Sequence, residues 1–140
     1  MECTVHWAPD LGMGFMAETG SGHLLTMDGA PEGGGRNLAP RPMETLLAGA
    51  GACTAYDVVL ILKRGRHDVR DCRLKLDADR ATEDPKVFTR IRMHFTVSGR
   101  ALPAAAVGRA IELSRDKYCS ATAMLVKTAA IETSFDVVES

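Results

Sequence analysis

From Cys3 to Trp7 apolar and polar residues alternate, Val5 and Trp7 against Thr4 and His6, and the stretch around Met13, Phe15 and Ala17 repeats the pattern. A period of two belongs to a strand with one face turned to a core. Leu24 to Met27 forms a third short run, and Asp10-Leu-Gly12, Gly20-Ser-Gly22 and Asp28-Gly29 supply the turn residues around these strands. The spacing predicts a three-stranded meander. Residues 30–41 carry Pro31, Gly33-Gly34-Gly35 and Pro40 with no apolar period, so they read as a surface loop.

At Pro42 the period changes. Proline suits the first helical turn, where its missing N–H is not needed, and Glu44 places negative charge near the positive end of the dipole. Leu46, Leu47, Ala50, Cys53, Leu60, Ile61 and Arg64 recur at steps of three and four. Ala48, Gly49, Gly51 and Ala52 would let another backbone approach closely. A central, buried helix ending near Gly65 is expected. Cys72 to Ala78 and Ile91 to Val97 return to strict alternation, joined across residues 81–86 by a hairpin connection containing Asp84-Pro85. Pro103 opens a second helical segment through Arg115, resumed from Ser120 to Ala129, with Cys119 at the junction. Ile131 to Val138 closes the chain as a strand.

Composition narrows the class. With 140 residues, two independent cores would have about 70 residues each, near the lower limit for unaided folding, so residues 1–140 are expected to form a single domain. Apolar residues are 46% and charged residues 25%, which fits a folded chain and not a disordered tail. The net charge of −1 is spread without a basic face, so neither nucleic acid nor an anionic membrane is an expected partner. The longest apolar run, residues 45–62, contains Asp57 and is rich in Gly and Ala, a poor membrane span. The N-terminus lacks a basic start and an apolar h-region, which points to a cytoplasmic protein.

Four cysteines, Cys3, Cys53, Cys72 and Cys119, lie far apart with no CxxC pair, arguing against a zinc knuckle or a dense disulfide framework. Cys3 and His6 alone are too sparse to hold a metal, and no metal site is expected. Cys53 sits inside the central helix among small residues, where a cysteine ordinarily packs as a small hydrophobe. Cys119 precedes a helix start, where free backbone N–H groups favour a thiolate below the reference pKa of about 8.5. Cys3 and Cys72 fall on strands. His23, after the glycine-rich turn, is a weaker candidate.

Two motifs extend the picture. Arg41-Pro-Met-Glu-Thr-Leu-Leu-Ala-Gly-Ala-Gly-Ala-Cys53-Thr-Ala-Tyr-Asp-Val-Val-Leu-Ile-Leu-Lys63 resembles the central helix of the OsmC/Ohr family, in its YhfA-like branch. Asp116-Lys117-Tyr118-Cys119-Ser120-Ala-Thr-Ala-Met-Leu125 is similar to that family's second cysteine motif, and Gly20-Ser-Gly-His23 with Met27-Asp28-Gly29 to the same branch. The resemblance implies an α+β, OsmC-like fold: the N-terminal meander, the central buried helix, further strands and a second helical segment, interlocked as a homodimer. It implies a thiol-dependent peroxidase of the oxidative stress response that reduces organic hydroperoxides. Cys53 would be peroxidatic and Cys119 resolving, with no bound cofactor and an external dithiol as reductant. A low-pKa thiolate is the nucleophile such chemistry needs, and a nearby thiol stops over-oxidation.

The peroxidase members place a glutamate ten residues before the first cysteine and an arginine on the N-terminal strands. Here position 43 is Met, Glu44 points about 100° away on a helix, and no arginine precedes Arg36. Arg36, Arg41, Glu44 and His23 are the remaining candidates to support the thiols. The alternative expectation is a non-peroxidase member that binds a small hydrophobic ligand or senses redox state at the dimer interface.

Overall fold

A computed structural model describes residues 1–140, in two compact units, Met1–Ala48 and Gly49–Ser140. Each builds its own three-stranded sheet. In the first unit β1 (Cys3–Ala8), β2 (Gly14–Thr19) and β3 (Leu24–Met27) form an antiparallel meander in that order, as the alternation predicts. The indole of Trp7 donates to the carbonyl of Gly12 at 2.6 Å, tying the end of β1 to the turn that follows it.

After β3 the loop folds around one carboxylate. Asp28 is 2% exposed and accepts the backbone N–H groups of Gly29 (2.7 Å), Arg36 (3.0 Å) and Leu38 (3.1 Å). One charge thus satisfies three donors from a segment with no regular ladder of its own. Gly35 lies flat against the carbonyl of Gly29, where any side chain would collide with backbone, so the glycine run serves this close approach.

The helix α1 (Pro42–Arg64) begins in the first unit and continues through the second. Its 23 residues and mean hydropathy of 1.7 over the best window would suffice for a membrane span by length and composition. Its buried stripe is Ala50, Gly51, Thr54, Val58 and Leu62. This stripe differs from the expected face: Leu46 is half exposed and Cys53 half-buried, because the face follows the small residues that allow close approach. At Gly51 an added Cβ would meet Leu76 Cδ1 at 2.6 Å, so the helix rests on the sheet there with no room for a side chain.

That sheet contains β4 (Asp68–Arg80), β5 (Phe88–Arg100) and β6 (Ala130–Glu139), in that order. The hairpin pairs Leu74 with Phe95 and Leu76 with Met93; β6 runs parallel to β5 and sets Ile131 beside Ile91 and Phe135 beside Phe95. Ile91, Met93, Phe95 and Val97 are at most 1% exposed, while Arg92 on the opposite face bonds Asp77 and Asp79. Alternation thus separates a core face from a charged one. Parallel pairing needs a crossover, and α2 (Ala104–Leu113), a π-helical turn (Ser114–Tyr118) and α3 (Ser120–Leu125) provide it. Val107, Ala110 and Ile111 at steps of three and four bury one face of α2, and Gly108 fits against the ring of Phe135. Both helices are shorter than the periodicity suggested, since the backbone changes pitch at Ser114 and α3 ends at Leu125.

Two expectations follow. Phe95→Ala removes a fully buried ring and should cost about 3–5 kcal/mol in urea denaturation. Asp28, held below the ordinary carboxylate range by the Leu38 and then the Arg36 N–H, is the second case. A depressed folded pKa gives stability present above the unfolded value near 3.8 and lost as pH falls through the folded value. Amide exchange at Arg36 and Leu38 should therefore stay slow near neutral pH and accelerate only below about pH 4, and Asp28→Asn should make it fast throughout.

Candidate functional site

The second unit brings Cys53 and Cys119 together. Their thiols interact directly and are unjoined. Cys53 faces out from the middle of α1, and the N–H of Ala121 reaches its sulfur. Cys119 caps α3: its backbone is extended (φ −74°, ψ 109°), and its Sγ accepts the N–H of Thr122 at 3.5 Å. The spacing of cap and third residue, already visible as Cys119-x-x-Thr122, is what allows that contact.

Buried hydroxyls complete the arrangement. Thr54, with no exposure, donates to Ala50 O at 2.9 Å and lies 3.3 Å from Cys119 Sγ. Ser114, equally buried, lies 3.2 Å from Thr54 O and 3.1 Å from Asp57 Oδ2, one hydroxyl hydrogen serving two acceptors. The π turn sets this up, because its bond from Cys119 N to Ser114 O (2.9 Å) widens the backbone and turns Ser114 towards α1. No single-sequence signal marks such a turn, so Ser114 was not among the expected residues. Neither was Thr54, although it follows Cys53 directly.

The two sulfurs titrate in opposite directions. Burial raises the Cys119 pKa, but the Thr54 hydroxyl and the N–H and hydroxyl of Thr122 outweigh it, so the thiol lies below its ordinary value. The Ala121 N–H lowers that of Cys53, yet burial, the neighbouring Cys119 and the Asp57 carboxylate together carry it above. Cys119 opens onto a cavity of about 480 Å³ lined by Thr122, Val126 and Ile131 and rimmed by Arg115 and Lys117. Cys72 lies on the inner side of β4, its thiol pushed up by burial and then by Asp71, and Cys3 is exposed on β1.

The other expected residues lie in the first unit with local partners. Arg41 and Glu44 pair with each other at 3.9 Å. Arg36 gives its N–H to Asp28 and reaches Asp10 O at 3.5 Å, and His23 Nδ1 meets Ser21 Oγ at 3.1 Å in the β2–β3 turn. No three His, Cys, Asp or Glu side chains converge in a way that could hold a metal ion.

Residues 33–134 match the family model described as OsmC-like protein. The chain belongs to the OsmC-like family. Among OsmC-like relatives, YhfA of Escherichia coli K12 is 47% identical over 138 residues, covering 99% of this chain and 98% of its own. A crystal structure of a hypothetical protein from Aquifex aeolicus VF5 superposes with a TM-score of 0.85 at 27% identity, covering 99% and 96% of the two chains. An organic hydroperoxide resistance protein from Legionella pneumophila superposes with a TM-score of 0.71 over 97% and 96%, and at 16% identity that likeness concerns the fold alone.

Removing the Ser114 hydroxyl tests the buried network. Ser114→Ala leaves the Asp57 carboxylate short of a donor and should destabilise by about 1–3 kcal/mol, read as a lower urea midpoint with an unchanged slope.

Proposed function

We propose that the chain is a thiol-dependent peroxidase that reduces organic hydroperoxides in the cytoplasm under oxidative stress. The observation that carries this reading is the pairing of the Cys53 and Cys119 thiols, 66 residues apart in sequence, beside an open and largely apolar cavity. A thiolate at this site attacks the terminal oxygen of the hydroperoxide; the O–O bond breaks, the alkoxide leaves and takes up a proton, and the sulfur becomes a sulfenic acid. The second thiol then displaces hydroxide, which leaves as water with that thiol's proton, and a disulfide forms. An external dithiol restores both thiols by exchange. The naming of the Legionella pneumophila neighbour as an organic hydroperoxide resistance protein supports the substrate class.

The working form is a homodimer. Tyr56 on α1 is 67% exposed, and within the first unit Val5, Trp7 and Leu25 are exposed, apolar surface of the sort a partner covers. Sedimentation should give twice the chain mass of 15.0 kDa.

One feature favours a second reading, in which the pair senses redox state or the cavity holds a small hydrophobic ligand: Met43 stands where peroxidase members carry glutamate. Turnover separates the two. With dithiothreitol, the protein should consume many equivalents of cumene hydroperoxide, and faster than hydrogen peroxide, while the Cys53→Ser/Cys119→Ser double variant should consume none. Consumption that stops at one equivalent per site would select the sensor, and equal rates for both proteins would remove thiol chemistry altogether.

A further inference from the structure

On the outer face of the second sheet we propose a second nucleophilic site, independent of the thiols, in which Ser134 with His94 as its base hydrolyses small activated acyl esters.

The alternation that buries Phe95 turns His94 to the opposite side of β5, away from the face on which α1 rests at Leu76. The parallel register sets His94 beside Ser134, and Asp136 comes one step further along the same face of β6. His94 Nδ1 lies 2.8 Å from Ser134 Oγ, and Nε2 lies 3.1 Å from Asp136 Oδ2. A serine, a histidine and an aspartate in one chain of contacts are the groups that activate a hydroxyl in hydrolases of unrelated folds, where roles and geometry count and sequence order does not.

The tautomer follows from the partners. A carboxylate oxygen only accepts, so Nε2 carries the ring hydrogen, and in the neutral ring Nδ1 is then a bare acceptor facing the serine hydroxyl. A general base needs that form, and the distance is within reach for proton transfer. Asp136 is a positioning residue: it acts through His94, holding this tautomer and balancing the charge when the ring takes a proton.

The rest of the face leaves these groups to one another. Arg92 binds both Asp77 and Asp79, and Glu132 pairs with Arg90 at 3.5 Å, whereas Asp136 has a histidine for its partner. Lys75 on β4 is in register with His94, so it stands on the same face and supplies positive charge where a substrate oxygen becomes negative. The side chains of His94 and Asp136 are 43% and 72% exposed, so a reactant reaches them without any opening of the fold. A sheet face grips little of a substrate, and this restricts the class to small acyl groups with a good leaving group, such as aryl esters.

In the reaction, Ser134 Oγ attacks the ester carbonyl as its proton moves to Nδ1 of His94. The tetrahedral adduct breaks its bond to the leaving oxygen, which takes that proton and departs as the phenol. Water then attacks the acyl-serine and gives a proton to Nδ1; the bond to Ser134 Oγ breaks, that oxygen takes the proton back, and a carboxylic acid is released.

A fluorophosphonate probe on the full chain reads the nucleophile, since an activated serine displaces its fluoride and keeps the phosphorus. Peptide mass spectrometry should find Ser134 modified about a hundredfold faster than Ser98, the low end of what a positioned base contributes. Ser98 shares the face, but its register partners are Asp71 and Val138. His94→Ala should bring Ser134 down to the Ser98 rate. Asp136→Asn should slow the labelling and Asp136→Glu recover part of it, a rescue that surface packing alone does not give. With thiols blocked by N-ethylmaleimide, the protein should release several equivalents of nitrophenolate from p-nitrophenyl acetate, and Ser134→Ala should lose that turnover. Equal labelling of Ser134 and Ser98, labelling of Ser134 that survives His94→Ala, or nitrophenolate release that stops by one equivalent overturns the proposal.

Discussion

A threonine hydroxyl sealed from water has to find its partners inside the protein, and the architecture of the second unit turns on the partners Thr54 finds. Its position one residue after Cys53 ties the α1 thiol to the α3 thiol, since the side chain that approaches Cys119 belongs to the helix that carries Cys53. Gly51, one turn earlier, lets α1 settle onto Leu76 and brings that hydroxyl to depth. Ser114 holds the other side through Thr54 O. An unpaired buried hydroxyl costs on the order of 1–3 kcal/mol, and none is left here without a partner.

The same packing makes the two cysteines unequal. Both are close to backbone N–H groups, yet Cys53 shares its helix with Asp57 while Cys119 faces hydroxyls. Unequal thiols suit disulfide chemistry, where one sulfur must ionise to attack and the other must deliver a proton. The supporting residues of the peroxidase members have no direct counterpart at position 43, and Glu44 turns to Arg41. In this chain the groups that reach Cys119 Sγ are neutral, the Thr54 hydroxyl on α1 and the Thr122 N–H on α3.

Much of this was legible in the order of residues. Alternation located β4 and β5, where β5 buries a single face, while β1 was found by the same pattern although its apolar residues lie exposed; Pro42 and Pro103 marked helix starts. Cys119 as a helix cap followed from its place before Ser120. What was missed depends on tertiary packing. The buried stripe of α1 follows Ala50, Gly51 and Thr54 because close approach outweighs side-chain hydrophobicity there, and a count of leucines points elsewhere. The parallel register of β6 is set by the crossover, to which local periodicity is blind. Asp28 looked like half of a turn pair, and its capture of three amides across ten residues is invisible until the loop is folded.

The parallel β6 strand carries a consequence for folding. Because each β6 residue pairs with a β5 residue 40 positions upstream, as Ala130 does with Arg90, the crossover bearing Ser114 and Cys119 is clamped only when β6 joins the sheet. Thr133 and Phe135, which hold Arg115 and Gly108, belong to that segment. The thiol pair thus leans on a pairing distant along the chain, and such pairings are slow to close.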